Sequence, residues 1–188
     1  IHVVFVKQTG TSLIYMNKSV SATSWSSPTT ISSDAWNKAT GLALDEDDNL
    51  YVSWARKDAN YKRQCFVKTK PASSSTWSDL PGLYTHYQSE NHQVRTACDV
   101  AVDSNKKVHI VAHDASSSSN SGDLRYTTNV SGSWVSSDIR GYSTSSADTG
   151  RLVNLVIDSN DKIHMTYIET YGTAKAYHES NVGGSWSR

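Results

Sequence analysis

The chain alternates short apolar or aromatic runs with polar stretches rich in Ser, Thr, Asn and Asp. Runs of that length, enriched in β-branched and aromatic residues, read as strands. No window sustains a 3.6-residue period with helix caps. Leu42-Ala43-Leu44-Asp45, Val100-Ala101-Val102-Asp103 and Leu155-Val156-Ile157-Asp158 each close on an aspartate. A polar turn follows each one, and then a second strand: Leu50 to Trp54, Val108 to Val111 and Ile163 to Tyr167. Asp and Asn tolerate left-handed backbone and bond their own main chain. The pattern therefore predicts strand, hairpin, strand, with Asp45, Asp103 and Asp158 capping the turns.

A second pattern interleaves with the first. Ser24-Trp25, Thr76-Trp77, Ser133-Trp134 and Ser185-Trp186 recur at tryptophan spacings of 52, 57 and 52 residues. An aromatic recurs in the run before each pair, as Tyr15, Phe66, Tyr126 and Tyr177. The repeat then reads strand A, tight turn, strand B, loop, strand C, turn, and a strand D led by tryptophan. Four short strands in a repeat of about 50 residues predict a propeller blade rather than a solenoid coil or a sandwich. The expected fold class is all-β: a β-propeller of four blades of four antiparallel strands, near residues 1–34, 38–83, 94–141 and 150–188. Ile1-His2-Val3-Val4 aligns with strand B, so the first blade is expected to lack its innermost strand. The arc is expected to belong to a larger ring, completed by further blades of the same polypeptide or by self-association.

The turn between strands C and D carries a family resemblance. Glu179-Ser180-Asn181-Val182-Gly183-Gly184-Ser185-Trp186 resembles the Asp-box, Ser-x-Asp-x-Gly-x-Thr-Trp, of the BNR-like propellers of the sialidase superfamily. Asn stands for Asp and Ser for Thr. Thr127 to Trp134 is similar, with Ser131 where the box has Gly, and the first two repeats keep only the Ser/Thr-Trp end. The resemblance implies a propeller in which this motif is structural and lies on the face away from the ligand site. The residues themselves suggest the same role. The Asn side chain is expected to bond backbone amides two residues on, Gly to permit positive φ, and Trp to bury a large area.

On the opposite face the B-to-C and D-to-A loops are expected to meet. The D-to-A loop over residues 81–93 gathers Tyr84, His86, Tyr87 and His92, while Trp36 and Tyr142 fall in the equivalent loops of other blades. Exposed aromatics among Ser, Asn and Asp suit sugar rings, which need a flat apolar face and hydrogen bonds. The competing reading is that these aromatics pin long loops. Lys38, Arg95 and Arg151 recur seven or eight residues before the closing aspartate of strand A and are expected near the channel mouth. They resemble the sialidase arginine triad only faintly, because Lys does not reproduce bidentate arginine geometry. No matched nucleophile and acid set, Gly-x-Ser-x-Gly or His-Glu-x-x-His can be assigned, so the sequence points to a binding module rather than an enzyme. The expected ligand is a glycan or a protein. The alternatives are part of a sialidase-like glycoside hydrolase and a structural assembly propeller.

Charge and composition narrow this further. Eighteen basic and eighteen acidic side chains balance, with no basic block of the kind nucleic acid requires. No apolar run is long enough to span a bilayer. No cofactor is expected. The oxygen-rich Asp45-Glu46-Asp47-Asp48-Asn49 is not repeated at similar density, and the spacing of His86 and His92 matches no zinc motif. Cys65 and Cys98 match no zinc or redox spacing. They are read first as buried small apolar side chains, with a disulfide as the alternative. The expected location is extracellular or at the cell surface.

Overall fold

The computed structural model describes residues 1–7, 11–57, 63–83, 93–115, 122–140, 149–169 and 173–188. Within strands, the backbone alone is described at 35–39, 57, 63–64, 93–97, 114–115, 122, 140 and 149–151. Four antiparallel sheets follow one another along the chain. The first holds β1 (His2–Val6), β2 (Leu13–Asn17) and β3 (Thr29–Ser32). The second holds β4 (Ala35–Leu44), β5 (Leu50–Lys57), β6 (Arg63–Lys70) and β7 (Ser78–Asp79). The third holds β8 (Gln93–Val102), β9 (Val108–Ala115), β10 (Gly122–Thr128) and β11 (Val135–Arg140). The fourth holds β12 (Thr149–Ile157), β13 (Ile163–Glu169) and β14 (Lys175–Ser180), with a single bridge between Ser180 and Ser187 in place of its last strand.

Each sheet is a meander in sequence order, and the second and third blades each hold all four strands, A-B-C-D. Among the described residues the first blade begins at B. Leu44 on β4 bears this out: it is 41% exposed, whereas its counterparts Val102 and Ile157 pack against buried clusters. Among the described residues no inner strand of the first blade covers it.

The A-to-B hairpins form as their aspartates predict. Asp45 Oδ1 accepts the Asp47 and Asn49 amides at 3.0 and 2.9 Å. Asp103 and Asp158 repeat this with Asn105 and Lys107, and with Asn160 and Lys162. The fourth residue of each turn is left-handed: Asp48, Lys106 and Asp161 have φ of 60°, 59° and 57°. The two copies of the Asp-box-like turn work differently from the expectation. The Asn129 and Asn181 side chains reach across the sheet and accept the amides of Val108 and Ile163, each at 2.8 Å, which ties the C-to-D turn to the start of strand B. The glycines with positive φ are Gly132 and Gly184, so the turn does not need glycine at Ser131.

Cys65 on β6 and Cys98 on β8 form a disulfide. Their reading as buried thiols is therefore corrected, although both are about 2% exposed. The pair faces the seam between the second and third blades, where two small apolar side chains pack closely enough to bond.

The core is divided into seams between blades. The face that each blade turns forward meets the back face of the next. Leu13 and Tyr15 pack with Leu50, Val52, Trp54 and Phe66 at the first seam. Tyr51, Cys65 and Val67 pack with Cys98, Val100 and Ile110 at the second. Ala101, Val111 and Leu124 pack with Leu155, Ile163, Met165 and Tyr167 at the third.

Candidate functional site

Register decides which residues are equivalent. Val4 pairs with Tyr15, Ser53 with Val67, Val111 with Tyr126 and Thr166 with His178. The structural repeat is thus Tyr15, Val67, Tyr126 and His178. Phe66 and Tyr177 lie one residue away and face the opposite side of their sheets. The aromatic repeat read from sequence mixed the two faces, because a one-residue slip in a strand exchanges them.

These positions hold a relay that recurs with variations. At the third blade His109 lies between Asp103 Oδ2, at 3.2 Å, and the Tyr126 hydroxyl. The neutral ring satisfies both partners, with Nε2–H donating to Asp103 and Nδ1 accepting from Tyr126. Burial pushes the His109 pKa down, against the pull of Asp103, and pushes the Tyr126 phenol up to about 12. The second blade puts Tyr51 in the histidine position, its hydroxyl donating to Asp45 Oδ2 at 3.2 Å. The fourth puts His164 between Asp158 and His178, at 3.5 and 3.2 Å. A relay repeated in three blades, with its polar groups paired, is a packing device.

The seam tryptophans complete it. Trp77 meets Tyr15 edge-on at 5.3 Å between centroids, and Trp186 meets Tyr126 edge-on at 5.1 Å. Trp134 packs against the second seam and donates Nε1–H to the Pro81 carbonyl at 2.9 Å. These three are packing residues, as expected. Trp25 is the exception: it is 42% exposed, with the Lys18 ammonium 5.8 Å from its ring.

The sequence-selected ligand residues divide by position. Tyr84, His86, Tyr87, His92 and Tyr142 lie outside the described residues. Trp36 belongs to β4 rather than to a loop, and Lys38 shares that strand, with Arg95 on β8 and Arg151 on β12. The three basic residues therefore do sit toward the starts of A strands. The side chains of all four lie outside the described residues.

A described concavity lies elsewhere, between the first and second blades. A cleft of about 270 Å³ is lined by the aromatics Tyr15 and Trp77 and by the polar side chains Asn17, Ser26, Ser27, Thr29, Lys70, Ser74 and Ser75. The seam creates it: edge-on packing of Trp77 against Tyr15 leaves aromatic surface beside the C-to-D turns of two blades. Lys70 spends one donor on the Ser74 carbonyl at 3.1 Å. The side chains of Asn17, Ser27, Thr29 and Ser75 make no hydrogen bond among the described residues, so they are free to serve a ligand. Among the described residues no carboxylate lines the cleft. Two aromatic rings, several hydroxyls, a carboxamide and an ammonium can hold a polyol ring, but they do not supply the paired acids of glycoside hydrolysis. Sequence reasoning missed this site because its members come from two repeats, and each looks like ordinary turn composition by itself.

Glu169 and Glu179 are both engaged by neighbours. Arg188 stacks 3.7 Å from the centre of the Tyr177 ring, bonds the Tyr167 hydroxyl at 2.6 Å and pairs with Glu169 at 3.0 Å. Tyr167 also donates to Glu179 at 3.1 Å.

No family model matches the chain, and no curated protein matches it by sequence. Solved structures match it by shape. An ulvan lyase, described as a new family of polysaccharide lyase and bound to a glucuronate–sulfated rhamnose unit, aligns at TM-score 0.66 and 11% identity over 95% of this chain and 49% of its own. The chain is a β-propeller. A protein of unknown function from Dyadobacter fermentans aligns at TM-score 0.64 and 9% identity, over 95% of this chain and 50% of that one. The α-L-arabinanase of Penicillium chrysogenum, complexed with arabinobiose, aligns at 0.59 and 10%, over 93% and 55%. At such identities the likeness is one of fold. The propeller spans about half the length of these solved structures.

Proposed function

We propose that this propeller is a non-catalytic carbohydrate-binding module. The observation that carries the reading is the cleft between the first two blades, where Trp77 and Tyr15 stand beside unpaired hydroxyl and carboxamide groups and the Lys70 ammonium. A sugar offers an apolar ring face to the aromatics and hydroxyls to the polar side chains, and Lys70 adds a preference for an acidic sugar. The lyase and the arabinanase of like fold act on polysaccharides, which fits without deciding the ligand. The Asp-box-like turns, read as degenerate members of the BNR type, agree with the same class of protein. The disulfide suits an oxidising, extracellular setting.

The loop-face residues Trp36, Tyr84, His86, Tyr87, His92 and Tyr142, with Lys38, Arg95 and Arg151, form the second proposed subsite at the channel mouth. A glycan array followed by calorimetry on the best ligand separates the two. Asn17→Ala with Lys70→Ala should weaken binding at least tenfold and leave the melting curve unchanged. If that pair binds normally while Trp36→Ala with Tyr142→Ala does not, the loop face is the site. If the array is blank for neutral and acidic sugars alike, the carbohydrate reading fails.

A further inference from the structure

The sequence holds two Asn-x-Ser triplets, Asn17-Lys18-Ser19 and Asn129-Val130-Ser131, and no other asparagine has Ser or Thr two residues on. The triplet is the acceptor pattern of asparagine-linked glycosylation. A glycan is bulky and polar, so the asparagine that carries it must reach water in the folded chain. The two triplets differ sharply in that respect.

Asn129 is already committed to the fold. Its Oδ1 accepts the Val108 amide at 2.8 Å, and its carbonyl accepts the Gly132 amide at 2.9 Å, so side chain and backbone are both held in the C-to-D turn. The residue is half-buried, and Ser131 donates its hydroxyl to the Ser133 carbonyl at 3.2 Å. A sugar on Nδ2 there would crowd the turn and the strand that Oδ1 joins. Asn17 is the opposite case. It ends β2, it is exposed, and its side chain makes no hydrogen bond among the described residues. Its backbone is held instead, the amide donating to Ser26 Oγ at 3.0 Å and the carbonyl accepting the Ser26 amide at 2.8 Å. A glycan on Nδ2 of Asn17 therefore breaks no bond of the fold. Ser19 is exposed too, its hydroxyl 3.4 Å from Ser21 Oγ.

We propose that Asn17, and not Asn129, is an asparagine-linked glycosylation site in a eukaryotic secretory pathway, a setting that the disulfide suits. Asn17 Nδ2 attacks the anomeric carbon of a lipid-linked oligosaccharide pyrophosphate. A C–N bond forms, the C–O bond to the pyrophosphate breaks, the amide gives up one proton and the lipid pyrophosphate leaves. The Asn17 side chain lines the cleft between the first two blades, so the attached sugar takes up room there. The glycan thereby occludes the cleft against free sugars. That occlusion rests on the carbohydrate reading, and the modification itself does not.

Secretion of the chain from a eukaryotic host tests this. Enzymatic release of asparagine-linked glycans in heavy-oxygen water turns a modified asparagine into labelled aspartate, which peptide mass spectrometry locates. Label is expected at Asn17 and not at Asn129. Ser19→Ala removes the triplet and leaves every cleft residue in place, so it should abolish the label with the circular dichroism unchanged. Ser131→Ala should leave the label at Asn17 untouched. An unlabelled Asn17 in folded, secreted protein overturns the proposal, and so does equal label at Asn129. The glycan array and calorimetry then read the occlusion. Unglycosylated Ser19→Ala protein should bind its best sugar at least about tenfold tighter than the glycosylated wild type, and equal binding overturns the occlusion. If Ser19→Ala binds no sugar while the wild type is labelled at Asn17, the carbohydrate reading fails and the modification stands.

Discussion

His109 shows how one side chain links acidity to folding. Its ring is buried, and burial lowers its pKa, so the fold holds it neutral while the unfolded chain protonates near the ordinary histidine value of about 6.5. Below that pH the unfolded state binds the extra proton, and stability falls as pH drops from there toward the folded pKa. Stability from this group is fully present above the unfolded value. Denaturant unfolding at pH 7.5 and 5.5 should therefore show a loss at the lower pH that is smaller in His109→Gln. An equal loss in both proteins would remove His109 as the cause. Gly41 makes a steric case at the same scale. A Cβ there would run into Asp99 Oδ1 and lie 2.9 Å from the Val100 amide. Asp99 cannot easily yield, since it accepts the amides of Val100 at 2.9 Å and of Leu155, on the next blade's inner strand, at 2.7 Å. Burial raises the Asp99 pKa, and these two bonds work against the shift. Gly41→Ala should cost about 2–4 kcal/mol by overpacking and by disturbing a buried acceptor. Urea unfolding would show it, and a cost below about 0.5 kcal/mol would mean that the inner strands separate freely.

At the scale of the element, the tryptophans that lead the D strands carry different weights although they look alike in sequence. Trp186 rests edge-on against Tyr126 in the third seam, whereas Trp25 is exposed. Full truncation of a buried tryptophan costs about 3–5 kcal/mol, and Trp186 is half-buried. Trp186→Ala should cost about 2–3 kcal/mol, against less than about 0.5 kcal/mol for the exposed Trp25→Ala. Similar losses from both would show that the tryptophans stabilise their own turns rather than the seams. The hairpin aspartates, by contrast, act within their own element. Asp103→Ala should cost about 1–2 kcal/mol, because two turn amides and His109 lose their acceptor together. Asp103→Asn should recover part of that.

For the whole molecule, the disulfide adds a covalent link between two blades that packing and a few hydrogen bonds also join. It closes a separation of 33 residues between strand C of the second blade and strand A of the third. On the chain-entropy account, a loop of that length is worth about 3–4 kcal/mol. Cys65→Ser with Cys98→Ser should lower stability by roughly that amount in thermal or urea unfolding. Dithiothreitol should shift the wild type in the same direction and leave the double variant unmoved. A wild type insensitive to reductant at its unfolding midpoint would show that the seam holds without the bond.

The sequence by itself determined whatever depends on neighbours a few residues apart. Asp45, Asp103 and Asp158 announced the hairpins because a short acceptor and a left-handed turn residue act within five positions. Strand order followed from there, since meandering antiparallel strands need only short connections. The repeat of tryptophans matched the blade count because one leads into the last strand of each blade, although of these four only Trp77, Trp134 and Trp186 pack at a seam. Tertiary structure decided what depends on facing and on contact between repeats. Spacing placed Phe66 with Tyr15, but strand register turned Val67 to that face, and a slip of one residue reverses every side chain. The bond between Cys65 and Cys98 exists because two blades bring them together, and a separation of 33 residues along the chain carries no sign of that approach. The cleft lined by Trp77 and Tyr15 belongs to a seam, and a seam is a property of two repeats in contact rather than of either one alone.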